Sequence, residues 1–322
     1  MGFTDDYELK STKIGYGEGL RELGDINNRV IALGGDITNS TSVNIFSDKY
    51  PERFYSLGIA EQNLATVATG LALTGFVPFY TTYGVFAAGR CWEQIRTTIC
   101  YNDANVKIGV AHGGVSVGPD GATHQALEDV AILRTLPRMK IVVPCDSIET
   151  HKATVAIGKI FGPAAVRFGR AAVPILTNIE TPFEFGKGYI YREDGTDVAI
   201  IANGPMVWMG LEAMKNLRAQ GIKARLINLH TVKPIDKEII IKAAQDCGAI
   251  VTAEEHQIMG GMGSAVAEVL AENHPTHIRF VGIQDRFGES GKPDELWAEF
   301  NIHHNDIEEA VKKVLHAKKL AI

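Results

Sequence analysis

Glu61 stands in the run Gly58-Ile-Ala-Glu-Gln-Asn63, where the chain turns into a helical pattern of small residues. A carboxylate is favoured at the positive end of a helix dipole, and that alone could explain it. In surroundings that exclude water, the same carboxyl could hold a proton or share one in a hydrogen bond. Further along, His112-Gly-Gly-Val-Ser-Val-Gly-Pro-Asp-Gly-Ala-Thr-His124 sets two histidines and Asp120 on one glycine-rich loop. Imidazoles change charge near neutral pH, which suits them to moving protons on and off oxygen. Gly113, Gly114, Gly118 and Gly121 permit unusual backbone angles and close approach of a ligand. A metal site is a second reading, but the wide separation of the histidines matches no standard zinc spacing. A solvated surface loop is the third. The loop runs into a helical pattern, which would aim His124 from a helix start.

Other side chains carry weaker signals. Tyr83 and Phe86 follow an apolar run and could face either a core or a flat ligand. Arg167 and Arg170 lie at the end of a strand pattern, Val166-Arg-Phe-Gly-Arg170. They could be a charged strand edge, or they could meet an anion, since ligands dock at the carboxyl ends of parallel strands. Arg170 could grip a phosphate by paired hydrogen bonds. If the alternation of the strand persists, Arg167 points to the opposite face. Glu254-Glu255-His256 precedes the glycine-rich stretch Gly260-Gly-Met-Gly-Ser264. That stretch carries neither the dinucleotide fingerprint nor the Gly-Lys-Ser/Thr of a P-loop, so a structural turn is expected.

The elements that must position these groups show as short apolar runs alternating with helical patterns. Strands are expected over 30–34, 77–81, 106–111, 140–143 and 165–168, with helices over 59–74, 86–101, 125–135 and 147–160. Such alternation predicts an α/β fold with a mainly parallel sheet covered on both faces. Prolines and glycines interrupt the rhythm over 171–196, and the pattern then restarts. The division is a first domain over 1–172, a linker over 173–196 and a second, smaller α/β domain over 197–322. With 322 residues there is ample chain for two cores. A net charge of −6 argues against a general nucleic-acid surface. The four cysteines have no paired spacing and read as reduced buried thiols, favouring a cytoplasmic location. Neither a secretory leader nor a membrane-spanning apolar run is expected.

Taken in register, these motifs resemble the C-terminal half of transketolase. The matching runs are Gly58 to Asn63, Tyr83-Gly-Val-Phe86, Trp92-Glu-Gln-Ile-Arg96 and His112 to Gln125. They continue through Leu136-Pro-Arg-Met139, Val142-Val-Pro-Cys-Asp146 and Val166 to Arg170. The resemblance implies a pyrimidine-binding domain for thiamine diphosphate followed by a transketolase C-terminal domain. It implies that Glu61 is the catalytic glutamate that bonds N1′ of the aminopyrimidine and favours its imino tautomer. Phe86 matches the aromatic stacked on that ring, and Tyr83 stands where the family usually has Phe. His112 and His124 match histidines that contact the donor ketose, and Asp120 a residue that reads a sugar hydroxyl. Arg170 and Ser40, in Asp36-Ile-Thr-Asn-Ser40, match groups near the sugar phosphate.

The same resemblance implies what this chain leaves to another. The family grips the cofactor diphosphate through Mg²⁺, using a Gly-Asp-Gly motif that is absent from this sequence. No metal ligands are therefore expected here. The expected partner is an N-terminal transketolase subunit carrying the diphosphate and Mg²⁺ site, with two copies of each chain in a heterotetramer. The implied activity is transfer of a two-carbon ketol unit between sugar phosphates. Relatives of the same architecture remain as alternatives: 1-deoxyxylulose-5-phosphate synthase, the β subunit of a 2-oxoacid dehydrogenase, or a non-catalytic scaffold. His112 favours transketolase over the synthase, which generally has aspartate there.

Overall fold

The computed structural model describes residues 6–320. Its strands, in chain order, are β1 (Leu9–Ser11), β2 (Val30–Gly34), β3 (Phe54–Ser56), β4 (Val77–Tyr83), β5 (Lys107–Ala111), β6 (Lys140–Val142) and β7 (Ala164–Phe168). They continue with β8 (Ala172–Pro174), β9 (Tyr189–Glu193), β10 (Val198–Ala202), β11 (Ala224–Asn228), β12 (Thr231–Lys233), β13 (Ala249–Gln257) and β14 (His277–Ile283). The helices of the first half are α1 (Thr12–Ile26), α2 (Asn44–Ser47), α3 (Glu61–Leu73), α4 (Trp92–Gln94), α5 (Asp129–Arg134) and α6 (Ser147–Lys159). Those of the second half are α7 (Met206–Ala219), α8 (Lys237–Cys247), α9 (Met262–Asn273), α10 (Pro293–Glu299) and α11 (His304–Leu320).

Two larger sheets result. A seven-stranded sheet has the order β12-β6-β7-β5-β4-β2-β3, and a five-stranded sheet the order β14-β13-β10-β11-β9. Strands β2, β5 and β7 are buried at every position, which is why they read as unbroken apolar runs instead of alternating ones. Each larger sheet is parallel except at one edge, where β12 and β9 run antiparallel. Both edge strands escape the sequence pattern. β9 lies inside the stretch expected as a linker, and β12 belongs to the second half yet pairs with β6 of the first sheet.

Asp146 anchors the crossing between the halves. Its carboxylate caps α6 at Glu149 N (2.8 Å) and accepts from Leu176 N, Thr177 N and Thr177 Oγ1 at 2.6–2.9 Å. The Val-Pro-Cys-Asp motif thus serves the fold, because a buried carboxylate is stable only when such donors surround it.

α1 is the main helix that the sequence pattern conceals. Its glycines lower helix propensity by up to about 1 kcal/mol each. They are there for contact: a Cβ on Gly15 would lie 1.9 Å from Ser147 O, and one on Gly17 2.2 Å from Ser42 O. Small residues let α1 lie directly on α6, and this brings Lys13 to the edge of the sheet.

Two expected helices are also broken. The segment expected as one helix over 86–101 holds wide turns at Val85–Arg90 and Ile95–Cys100 around the short α4. Their ends close by five-residue bonds, Cys91 N to Phe86 O and Tyr101 N to Arg96 O. Such turns shift side-chain register and often accompany functional sites. The helix expected to begin right after His124 begins only at Asp129, so His124 is not aimed from a helix start. It sits instead in a turn closed by its own N–H on Gly121 O, 3.0 Å away.

Candidate active site

The carboxyl ends of β2, β4, β5 and β7 lie side by side, because these strands are parallel neighbours in one sheet. Several of the candidate residues of the first half leave the sheet at that edge. Tyr83 is the last residue of β4, His112 follows β5, Arg170 follows β7, and the loop with Ser40 follows β2. α3 carries Glu61 at its first position, with the side chain 4% exposed. This is the crevice where open α/β sheets bind ligands.

The contacts form one continuous chain. Arg90 donates to the Glu61 carboxylate at 2.8 Å, and its guanidinium lies 4.6 Å from the centre of the Phe86 ring. The Phe86 ring meets His124 edge-on at 5.6 Å, and Tyr83 meets His124 at 5.8 Å. Tyr83 then packs on His112 with ring centres 4.3 Å apart. The charges that act on His112 are those of Lys13, Arg170, Asp120 and His124, so these groups share its surroundings. Arg170 bonds Asp120 and Val117 O at 3.0 Å each, and Lys13 Nζ donates to Ser40 O at 3.2 Å. Of the eight candidate site residues, Glu61, Phe86, His124, Tyr83 and His112 are joined through ring contacts and Arg90, while Asp120 with Arg170, and Ser40 O with Lys13, are linked to them by the charges acting on His112.

His112 departs from the expectation of near-neutral titration. Burial lowers its pKa to about 4, helped by the nearby cations Lys13 and Arg170. At neutral pH it is an uncharged hydrogen-bonding group and not a carrier that gains and loses a proton. Its backbone has φ 58, and its buried Nδ1 has no hydrogen-bond partner. A buried polar atom without a partner is costly, so it marks a place where a ligand group would be welcome.

Arg167 and Arg170 do not divide into opposite faces of one strand. β7 stops at Phe168, so the two-residue alternation does not reach Arg170. Both arginines engage the 112–129 segment, for different purposes. Arg167 is 5% exposed and bonds Asp129 (2.7 Å), Ala126 O and Glu255 O (3.0 Å each), which makes it a structural tie. Arg170 is partly exposed and faces the crevice.

Two cations were not visible in the sequence as site residues. Lys13 lies on a glycine-rich helix that the pattern hid, and Arg90 lies in a wide turn that no regular periodicity marks. Burial and the charge of Arg170 both lower the pKa of Lys13, which is the mark of two cations sharing a small region. In the second half, Glu254 takes the N–H groups of Met262 (2.7 Å) and Gly263 (2.8 Å) at the start of α9. The glycine-rich turn is thus filled by the chain's own carboxylate, in keeping with the structural role expected of it.

The residues at this edge fit the pyrimidine end of thiamine diphosphate. Glu61 is a buried acceptor near the Phe86 ring, and Arg90 now occupies both. Among the described residues, no three His, Cys, Asp or Glu side chains group as a metal site.

Comparison with known proteins agrees with this architecture. The family model "Transketolase, pyrimidine binding domain" matches residues 10–175, and "Transketolase, C-terminal domain" matches residues 186–307. A putative transketolase C-terminal section of Methanocaldococcus jannaschii is 41% identical, covering 96% of this chain and 97% of that protein. A 6-deoxy-6-sulfo-D-fructose transketolase subunit of a Clostridium species is 38% identical, covering 98% and 96%. Among solved structures, one described as "split gene transketolase, inactive beta4 tetramer" is 43% identical, with a TM-score of 0.89 over 96% of this chain and 99% of that one. By these matches and by its two-sheet fold, the chain belongs to the transketolase family.

Proposed function

We propose that this chain is the pyrimidine-binding half of a two-chain transketolase, moving a two-carbon ketol unit from a ketose phosphate to an aldose phosphate. The observation that carries the reading is the contact chain from Glu61 through Arg90, Phe86, His124 and Tyr83 to His112, whose surroundings feel the charges of Arg170 and Lys13. One end suits a flat heterocycle, the middle suits hydroxyl and carbonyl oxygens, and the far end suits an anion. The relatives named as a transketolase section or subunit span nearly the same length, and the similar β4 tetramer is described as inactive. Both support a chain that needs a second polypeptide. The division at 1–172, 173–196 and 197–322 goes with this reading.

Thiamine diphosphate, when bound, supplies the carbon nucleophile and the electron sink that ketol transfer needs. Glu61 would hold the pyrimidine nitrogen and supply the carboxyl that sets its protonation. Phe86 fixes the ring plane. His112, neutral at pH 7, donates or accepts a hydrogen bond at a sugar oxygen, and the partly buried His124 moves a proton there. Asp120 reads a hydroxyl, while Arg170, Lys13 and Ser40 hold the sugar phosphate. Mg²⁺ and the diphosphate are assigned to the partner, an N-terminal transketolase subunit, in a cytoplasmic heterotetramer of two copies of each chain.

The test mixes this chain with candidate N-terminal subunits, thiamine diphosphate and Mg²⁺, then supplies xylulose 5-phosphate and ribose 5-phosphate. Ketol transfer in one pairing, and none with either chain alone, is the expected result. A pairing that binds cofactor yet, given pyruvate and glyceraldehyde 3-phosphate instead, makes 1-deoxyxylulose 5-phosphate with release of CO₂ and transfers no ketol unit would contradict it.

A further inference from the structure

The loop that carries His112, Asp120 and His124 belongs to the first half, but it is gripped by the second. Glu255, near the end of β13, is 2% exposed. Its carboxylate accepts from Ser116 N at 2.6 Å, Ser116 Oγ at 3.2 Å and Trp297 Nε1 at 3.1 Å. Gly114, with φ 89, packs so closely that a Cβ there would fall 2.2 Å from the Glu255 carboxyl carbon. On the other side of the loop, the Gln125 amide donates to Val115 O at 3.0 Å and Glu289 O at 2.9 Å. Arg167 completes the frame by bonding Ala126 O and Glu255 O together.

We propose that Glu255 is a positioning residue for the substrate-facing loop, and that holding this loop is a task of the C-terminal half. The inference rests on the functional reading above for the role of the loop. Glycines at 113, 114, 118 and 121 leave the loop many backbone states, and His112 sits in a left-handed conformation that must be imposed from outside. A carboxylate seated on Ser116 supplies that restraint between the two histidines. Water cannot substitute, because Gly114 and Trp297 close the space around it. On the cofactor side, neither Glu61 nor Phe86 bonds Glu255 or Ser116, and Phe86 meets the loop at the His124 ring. Glu255 should therefore govern how sugars bind while leaving cofactor binding alone.

The test compares wild type with Glu255→Gln, which keeps shape and removes one acceptor. Amide hydrogen exchange of the full chain reads the loop directly. Exchange over 113–125 should rise at least about tenfold while α3 is unchanged, the size expected for losing one bond to a charged group. In the active assembly, KM for the ketose phosphate should rise about tenfold and kcat fall less than about threefold, with cofactor affinity unchanged. Ser116→Ala removes only the hydroxyl donor on this carboxylate. It should give the same pattern at smaller size, and it serves as the test if Glu255→Gln does not fold. Unaltered exchange over 113–125 in both variants overturns the proposal. So does a parallel loss of melting temperature, cofactor affinity and protection throughout the chain, which is the mark of a core residue. If the wild-type assembly transfers no ketol unit, the functional reading fails, and the exchange measurement still decides whether Glu255 holds the loop.

Discussion

Arg90 and Glu61 are joined at 2.8 Å while the same guanidinium covers the Phe86 ring at 4.6 Å. One side chain thus occupies both surfaces that a bound pyrimidine would need. A flat ring stacked on Phe86 and bonded to Glu61 has to displace it. Arg90 is 47% exposed, so water screens the pair and the cost of opening it is small. Arg90→Ala should tighten binding of thiamine diphosphate to the assembly by roughly 2- to 5-fold, measured by calorimetry. Weaker binding would mean that Arg90 itself touches the cofactor.

The isolated chain should bind thiamine diphosphate weakly even with Mg²⁺ present, because only the pyrimidine end finds its partners here. Titration calorimetry of the chain alone, then of the chain with an N-terminal subunit, reads the difference. Tight binding and normal turnover by the lone polypeptide would contradict the two-chain reading.

Arg170 and Arg167 should fail in different ways. Arg170→Ala removes a charge-assisted contact worth ~1.5–3 kcal/mol, or roughly 10- to 150-fold in apparent affinity for phosphorylated sugars. The loss should largely vanish with hydroxypyruvate, which has no phosphate, and Lys13→Ala should show the same selectivity. Arg167→Ala instead strands Asp129, which is 1% exposed, and should cost on the order of 3–5 kcal/mol of stability. Equal kinetic losses with both donors would make Arg170 structural as well.

His112 should remain neutral through the physiological range. Its folded pKa of about 4 lies below the ordinary value of 6.5, so the unfolded chain binds the extra proton first as pH falls. The stability it contributes is fully present above pH 6.5 and is lost progressively as pH drops toward 4. Histidine NMR on the chain, with His112→Asn to assign the signal, checks this. A midpoint near 6.5 would remove the argument for a neutral hydrogen-bonding role.

The sequence disclosed the core strands, and the grouping of candidate residues at their carboxyl ends, better than it disclosed the connections between them. β2, β5 and β7 stand out because burial on both faces demands an unbroken apolar run. Glu61 and the 112–124 loop stand out because glycine and charge are costly unless used. α1 is concealed because Gly15, Gly17 and Gly19 answer to close packing and not to helix propensity. The wide turns around α4 are concealed because an added residue per turn breaks the period on which a helix is recognised. Glu255 is concealed most deeply, since its partners Ser116 and Trp297 are remote in sequence and only the fold joins them.

Glu61→Gln in the assembled enzyme tests the central claim most directly. Glutamine keeps the size of the side chain but cannot share a proton with the pyrimidine in the same way. Turnover at saturating cofactor and sugars should fall by at least ~100-fold, the scale of acid–base roles, with assembly and melting temperature intact. Near-normal turnover by a saturated Glu61→Gln complex would reduce Glu61 to a helix-start acid and contradict the account.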